Sequence, residues 1–104
     1  MTLRTALILS AFMMVPSLAG ASPAAVESAD LTLKTAAAKS SYIIDGSEWA
    51  CDGATCHSAW VEDMPAVRSC QRVVSEIGAV DAFSWRGKAL TADELARCNV
   101  RAKA

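Results

Sequence analysis

Residues 49–60 read WACDGATCHSAW and hold two of the four cysteines and the only histidine of a 104-residue chain. Two kinds of chemistry compete for this stretch: a metal, haem or redox site, and a hairpin closed by a disulfide. The residue pattern favours the hairpin. Ser47 to Cys51 alternates, with Trp49 and Cys51 on one face. Asp52-Gly53-Ala54-Thr55 reads as a four-residue turn, and Cys56 to Trp60 returns as the next strand. Such a loop sets Cys51 directly opposite Cys56. In a non-hydrogen-bonded antiparallel pair, facing side chains come close enough to bridge.

Toward the N-terminus, Asp45-Gly46 is a turn signal behind the β-rich Tyr42-Ile43-Ile44, and Leu31 to Thr35 alternates as a first strand. Residues 36–41 fit a loop or a strand end. Residues 22–30 (SPAAVESAD) are small and polar, a flexible lead-in. Before them, Arg4 supplies a positive n-region and Ala6 to Val15 an apolar run broken only by Ser10. Pro16 ends that run, and Ala19-Gly20-Ala21 offers small residues for cleavage. Residues 1–21 therefore read as a secretory signal peptide cut after Ala21, with Ser17-Leu18-Ala19 as a second site. The run is too short to span a bilayer stably, so no membrane insertion is expected after cleavage. The absence of a cysteine near the cut argues against a lipid anchor.

Toward the C-terminus the period changes. Val67, Cys70, Val73, Val74 and Ile77 form one helical stripe after Pro65, with Arg68, Gln71, Arg72, Ser75 and Glu76 opposite. Arg72 and Glu76 sit four apart, a spacing that suits an ion pair, and Gly78 suits the helix C-terminus. Val80 to Trp85 reads as a strand turned by Arg86-Gly87-Lys88. Thr91-Ala92-Asp93-Glu94 is a capping box, flanked by Leu90 and Leu95 at the staple positions. The helix it opens is about two turns long and marginal unless tethered. Leu95 and Cys98 share its apolar side. A Cys70–Cys98 bridge would tie it to the longer helix, worth about 3 kcal/mol from chain entropy.

The fold expected is thus one small α+β domain over residues 31–104. It consists of an antiparallel sheet of three or four strands with two helices, stabilised by Cys51–Cys56 and Cys70–Cys98. A chain this short builds a marginal core without such staples, and four cysteines in a small exported chain point to disulfides. The net charge is −1 and loss of Arg4 makes it more negative. No basic surface for nucleic acid follows from that balance. Residues 40–67 nevertheless carry five acidic side chains and no Lys or Arg, whereas seven basic residues follow from Arg68 onward. Complementary charge within one fold is the first reading of this split, and a bipolar partner-binding surface the second.

The competing chemistries each lack a part. Cys51, Cys56 and His57 form a widened version of the haem-attachment motif, but beyond the signal only Met64 is left as a further axial ligand of the thioether type. Zinc on four thiolates usually takes two close cysteine pairs, and here there is one. An efficient redox pair places its thiols at a helix N-terminus rather than across a hairpin. Glu62 and Asp63 read as solvated turn carboxylates, and Trp49, Trp60 and Trp85 as core cover.

Trp49-x-Cys51-x-Gly53-x-x-Cys56, then Cys70, Ile77-Gly78 and Phe83, then Leu95-x-x-Cys98-Asn99-x-x-Ala102, resembles an uncharacterised family of short secreted four-cysteine proteins from alphaproteobacteria. The resemblance covers roughly residues 30–102 and implies export and paired cysteines. It brings no activity and no catalytic residues, and His57 is not part of its pattern. The expectation is a periplasmic or secreted, non-enzymatic, monomeric binding module with no cofactor or metal. Its partner would be another protein or an envelope component, with no role for nucleic acid. The alternative is a periplasmic thiol-redox or haem/metal protein using Cys51, Cys56 and His57.

Overall fold

The computed structural model describes residues 26–103. The expected signal peptide, its cleavage sites and residues 22–25 lie outside the described residues. The chain forms β1 (Ala29–Leu33), β2 (Ser41–Ile44), β3 (Ser47–Asp52), β4 (Thr55–Ser58), α1 (Ala66–Glu76), β5 (Val80–Trp85), β6 (Lys88–Ala89) and α2 (Ala92–Asn99). The α+β class holds, but the antiparallel sheet has six strands rather than three or four, in the order β2-β3-β4-β1-β5-β6. Two physical reasons account for the difference. β6 is two residues long, too short to show any period. β1 pairs with both β4 and β5, partners far away in sequence.

The first strand also starts two residues earlier than Leu31. Ala29, Leu31 and Leu33 are all buried on its inner side, which suits a central strand. Just before it, the carbonyls of Glu27 and Ser28 accept from the Val61 and Arg86 amides. Thr32 pairs with Ala82 and Leu33 with Val80, so Asp81 is the extra residue of a bulge. Its carboxylate meets Lys34 Nζ at 2.6 Å.

Tight turns set the register elsewhere. Ile44 faces Ser47 across Asp45-Gly46, and Trp85 faces Lys88 across Arg86-Gly87. Both residues of each turn take positive φ, as a two-residue type I′ hairpin requires. Between β3 and β4 the loop is Gly53-Ala54, shorter than the expected four residues, because Asp52 and Thr55 are themselves paired. Shortening a loop by two keeps the register, so Cys51 still faces Cys56.

The helices cover one face of the sheet, packing on each other and on β5, while α1 also reaches β2. On that face Trp49, Phe83 and Trp85 form an aromatic row, with the last two rings stacked at 5.9 Å. Trp60 departs from its expected core role and is half exposed. The inner side of α1 buries Ser69, Cys70, Val73 and Val74. Pro65 is the residue just before the helix, at its N-cap. At the other end Gly78 takes φ +136°, outside the left-handed helical well yet closed to ordinary side chains.

α2 is held at three levels. Thr91 Oγ1 accepts from the Glu94 amide and Glu94 Oε1 from the Thr91 amide, a complete capping box. Cys98 is disulfide-bonded to Cys70 of α1, and both are fully buried. The Asn99 side chain then imitates a strand. Its Nδ2 donates to the Val80 carbonyl and its Oδ1 accepts from the Val80 amide, both at 2.9 Å. Among the described residues no strand pairs with that outer edge of β5 at Val80, so the amide satisfies two backbone groups that burial would otherwise leave unpaired. The tail continues the attachment, with the Lys103 amide donating to the Val74 carbonyl.

Two stability outcomes are expected. The Cys70–Cys98 bridge spans 28 residues of sequence and Cys51–Cys56 spans 5. Replacing both cysteines of the longer bridge by alanine should cost about 2–4 kcal/mol, clearly more than the same change at the hairpin. Denaturant unfolding of the two double variants beside the parent measures this, and equal losses would contradict it. Asn99→Ala should cost about 1–3 kcal/mol, because it strands the Val80 amide and carbonyl. A loss within a few tenths would show that water replaces the side chain there.

Candidate functional site

β3 and β4 dispose the residues of the 49–60 segment on opposite faces. The Cys51 amide donates to the Ser40 carbonyl at 2.8 Å, away from β4. Cys51 and Cys56 are therefore a non-hydrogen-bonded pair, their Cα atoms are 4.0 Å apart, and their sulfurs are joined. Cys56 is fully buried on the helix side. His57, the next residue, points to the open face and meets Asp30 of β1, with Nδ1 and Oδ1 2.6 Å apart. The three residues of the redox, haem or metal alternative thus do not converge on one point. Among the described residues, no group of three His, Cys, Asp or Glu side chains is placed to hold a metal ion.

A concave site lies elsewhere, between α1 and the β2–β3 hairpin. It is a cleft of about 340 Å³, within the range of small-ligand pockets. Ile44, Trp49, Val73 and Trp85 supply its apolar lining, and Met64 stands at its edge, partly exposed. Asp45, Glu62, Arg68 and Arg72 are its charged side chains. Ser47 and Ser69 also line it, and both are more than nine-tenths buried. Neither hydroxyl makes a hydrogen bond among the described residues, whereas the similarly buried Ser58 donates to the Trp60 carbonyl. The Trp85 indole Nε1 is buried with no acceptor among the described residues.

Sequence reasoning did not identify this cleft, although a signal was present. Ser47 occupies an inward position of β3, in phase with Trp49, and Ser69 sits beside Cys70 on the covered side of α1. Polar residues at positions a core would fill with apolar ones mark a place where packing is incomplete.

Arg72 closes one side of the cleft. Its Nη2 donates to Asp45 Oδ1 at 2.6 Å and its Nε to Oδ2 at 3.0 Å, so the expected Glu76 is not its hydrogen-bonding partner. A two-pronged match to the turn carboxylate wins over a one-turn helical neighbour. These hydrogen bonds, and secondarily the opposite charge, hold the Asp45 carboxyl below its ordinary range. Asp45 raises Arg72 in return. A carboxyl whose pKa is lowered on folding adds stability above its unfolded pKa, and that stability is lost as pH falls through the folded value.

Asp45→Asn keeps a residue tolerant of positive φ and removes the charge. The variant should be slightly less stable than the parent at neutral pH, by a modest amount because the pair is half exposed. The difference should shrink as the solution is acidified below the usual carboxylate pKa. Urea unfolding across that window measures it, and a difference that grows with acid would contradict the assignment.

Among the described residues, no helix is long and apolar enough to cross a membrane. No curated protein and no solved structure matches the chain. Residues 10–100 match a family of unknown function, DUF8200, so most of the chain, with all four cysteines, lies within the match. The chain belongs to that family.

Proposed function

We propose that this protein is an exported, non-enzymatic binding module that takes a small ligand in the cleft between α1 and the β2–β3 hairpin. The observation that carries the reading is the cleft itself, where two tryptophans and two serines, whose hydroxyls make no hydrogen bond among the described residues, line one concavity. Two disulfides in a chain of this size suggest an oxidising compartment, which supports a periplasmic or secreted location. All four thiols are consumed in those bridges. The only imidazole is paired with a carboxylate on the opposite face from the buried Cys56, so the thiol-redox and haem/metal reading gains no support from the geometry.

Two measurements test the proposal. Intact mass of the protein recovered from the periplasm should show loss of residues 1–21; full-length chain in the cytoplasm would contradict export. For binding, 1-octanol serves as a plain apolar probe, followed by the three indole N–H resonances of nitrogen-15-labelled oxidised protein. Trp49 and Trp85 should shift in a saturable way while Trp60, outside the cleft, stays in place. If all three stay fixed, or Trp60 moves as much as the others, the cleft is not a binding site.

A further inference from the structure

We infer that the ligand of this cleft is a small molecule with an apolar body and a carboxylate or similar oxyanion head, an inference that rests on the cleft being a binding site at all. The apolar body follows from the walls. Ile44, Val73 and the two tryptophans present hydrocarbon and ring faces, and the cleft volume of about 340 Å³ restricts that body to a short chain or a single ring system.

The head follows from which polar groups the cleft lining offers a ligand. The Ser47 and Ser69 hydroxyls line the cleft, have no hydrogen-bond partner among the described residues, and can turn to donate. A ligand oxygen rich in lone pairs gives such groups what the protein withholds.

Charge selects the same way. Asp45 and Arg72 neutralise each other through their two-pronged pair. Arg68, one turn before Arg72 on α1, has no carboxylate within ion-pair distance among the described residues and borders the cleft. Arg68 and Arg72 also border an adjoining groove completed by Gln71, Ser75 and Arg101, with no acidic side chain in its lining. Glu62 alone opposes this on the cleft side, and it is exposed. The mouth on the α1 side is therefore a region of positive potential leading into an apolar cleft that presents hydrogen-bond donors. A guanidinium with no partner is the natural seat for an oxyanion.

The test compares two probes with the same tail and different heads, octanoate and 1-octanol. Both are titrated at neutral pH into the oxidised protein with residues 22–104 and followed by the Trp49 and Trp85 indole resonances. Octanoate should bind about tenfold more tightly, the usual worth of a charge-assisted hydrogen bond over a neutral one. Arg68→Gln should remove most of that preference while leaving 1-octanol within about twofold of the parent. Because Arg68 is exposed, the variant should fold, and an unchanged spectrum outside the cleft confirms it. Equal affinity for the two probes, or a preference that survives Arg68→Gln, overturns the oxyanion assignment and leaves the binding reading standing. Failure of both probes to move either resonance overturns the binding reading as well.

Discussion

The Cys70–Cys98 bridge and the pairing of the Asn99 amide with the Val80 backbone act on consecutive residues of one short helix. The bridge ties α2 to α1, and the amide pair ties it to β5. An eight-residue helix has no stability of its own in water, so its position is imposed by these two bonds and by the capping box in front of them. Once imposed, α2 holds the middle of α1 through a buried cystine. α1 in turn presents Val73 and Val74 to the core, and Ser69 and Arg72 to the cleft. The cleft is a consequence of where α1 sits. Nothing on the open face of the sheet contributes to it.

A second constraint sets the opposite wall. The Asp45-Gly46 turn projects a carboxylate that Arg72 grips with two nitrogens, so the hairpin tip and the helix are joined across the mouth. An exposed ion pair adds little stability. Its effect here is geometric, because it takes Arg72 out of play as a free cation and leaves Arg68 with that role. The Cys51–Cys56 bridge, by contrast, locks a hairpin whose register Gly53-Ala54 already determines. It sits away from the cleft and closes a short loop, so it adds local rigidity more than global stability.

What could be read from the sequence was what short-range chemistry decides. The Asp45-Gly46 turn, the facing of Cys51 and Cys56, the buried stripe of Cys70, Val73 and Val74, and the Thr91–Glu94 box all depend on residues within a few positions of each other. The place of β1 does not. Its pairing with β4 and β5 is non-local, and a five-residue alternation carries no information about which strands will flank it. Arg72 illustrates the same limit: Glu76 is the local partner and Asp45 the real one, brought near only by the tertiary fold. The Cys98-Asn99 pair was visible as a pattern, yet its reason was not, since Val80 is nineteen residues away and its unpaired edge exists only in the folded sheet. The cleft was missed for a related reason. Ser47 and Ser69 were legible as polar residues at inward positions, but only the fold brings them together.

Native-state hydrogen exchange at the Val80 amide tests the central claim, that α2 is locked to the sheet and to α1 as one cooperative unit. That amide has Asn99 Oδ1 as its acceptor, so it can exchange only when the α2 attachment opens. The expected result is an opening free energy for Val80 equal to that of the central-strand amides of β1, such as Leu31, and so equal to global unfolding. Rapid exchange at Val80, with the β1 amides still fully protected, would show that α2 detaches on its own and that the fold does not depend on it.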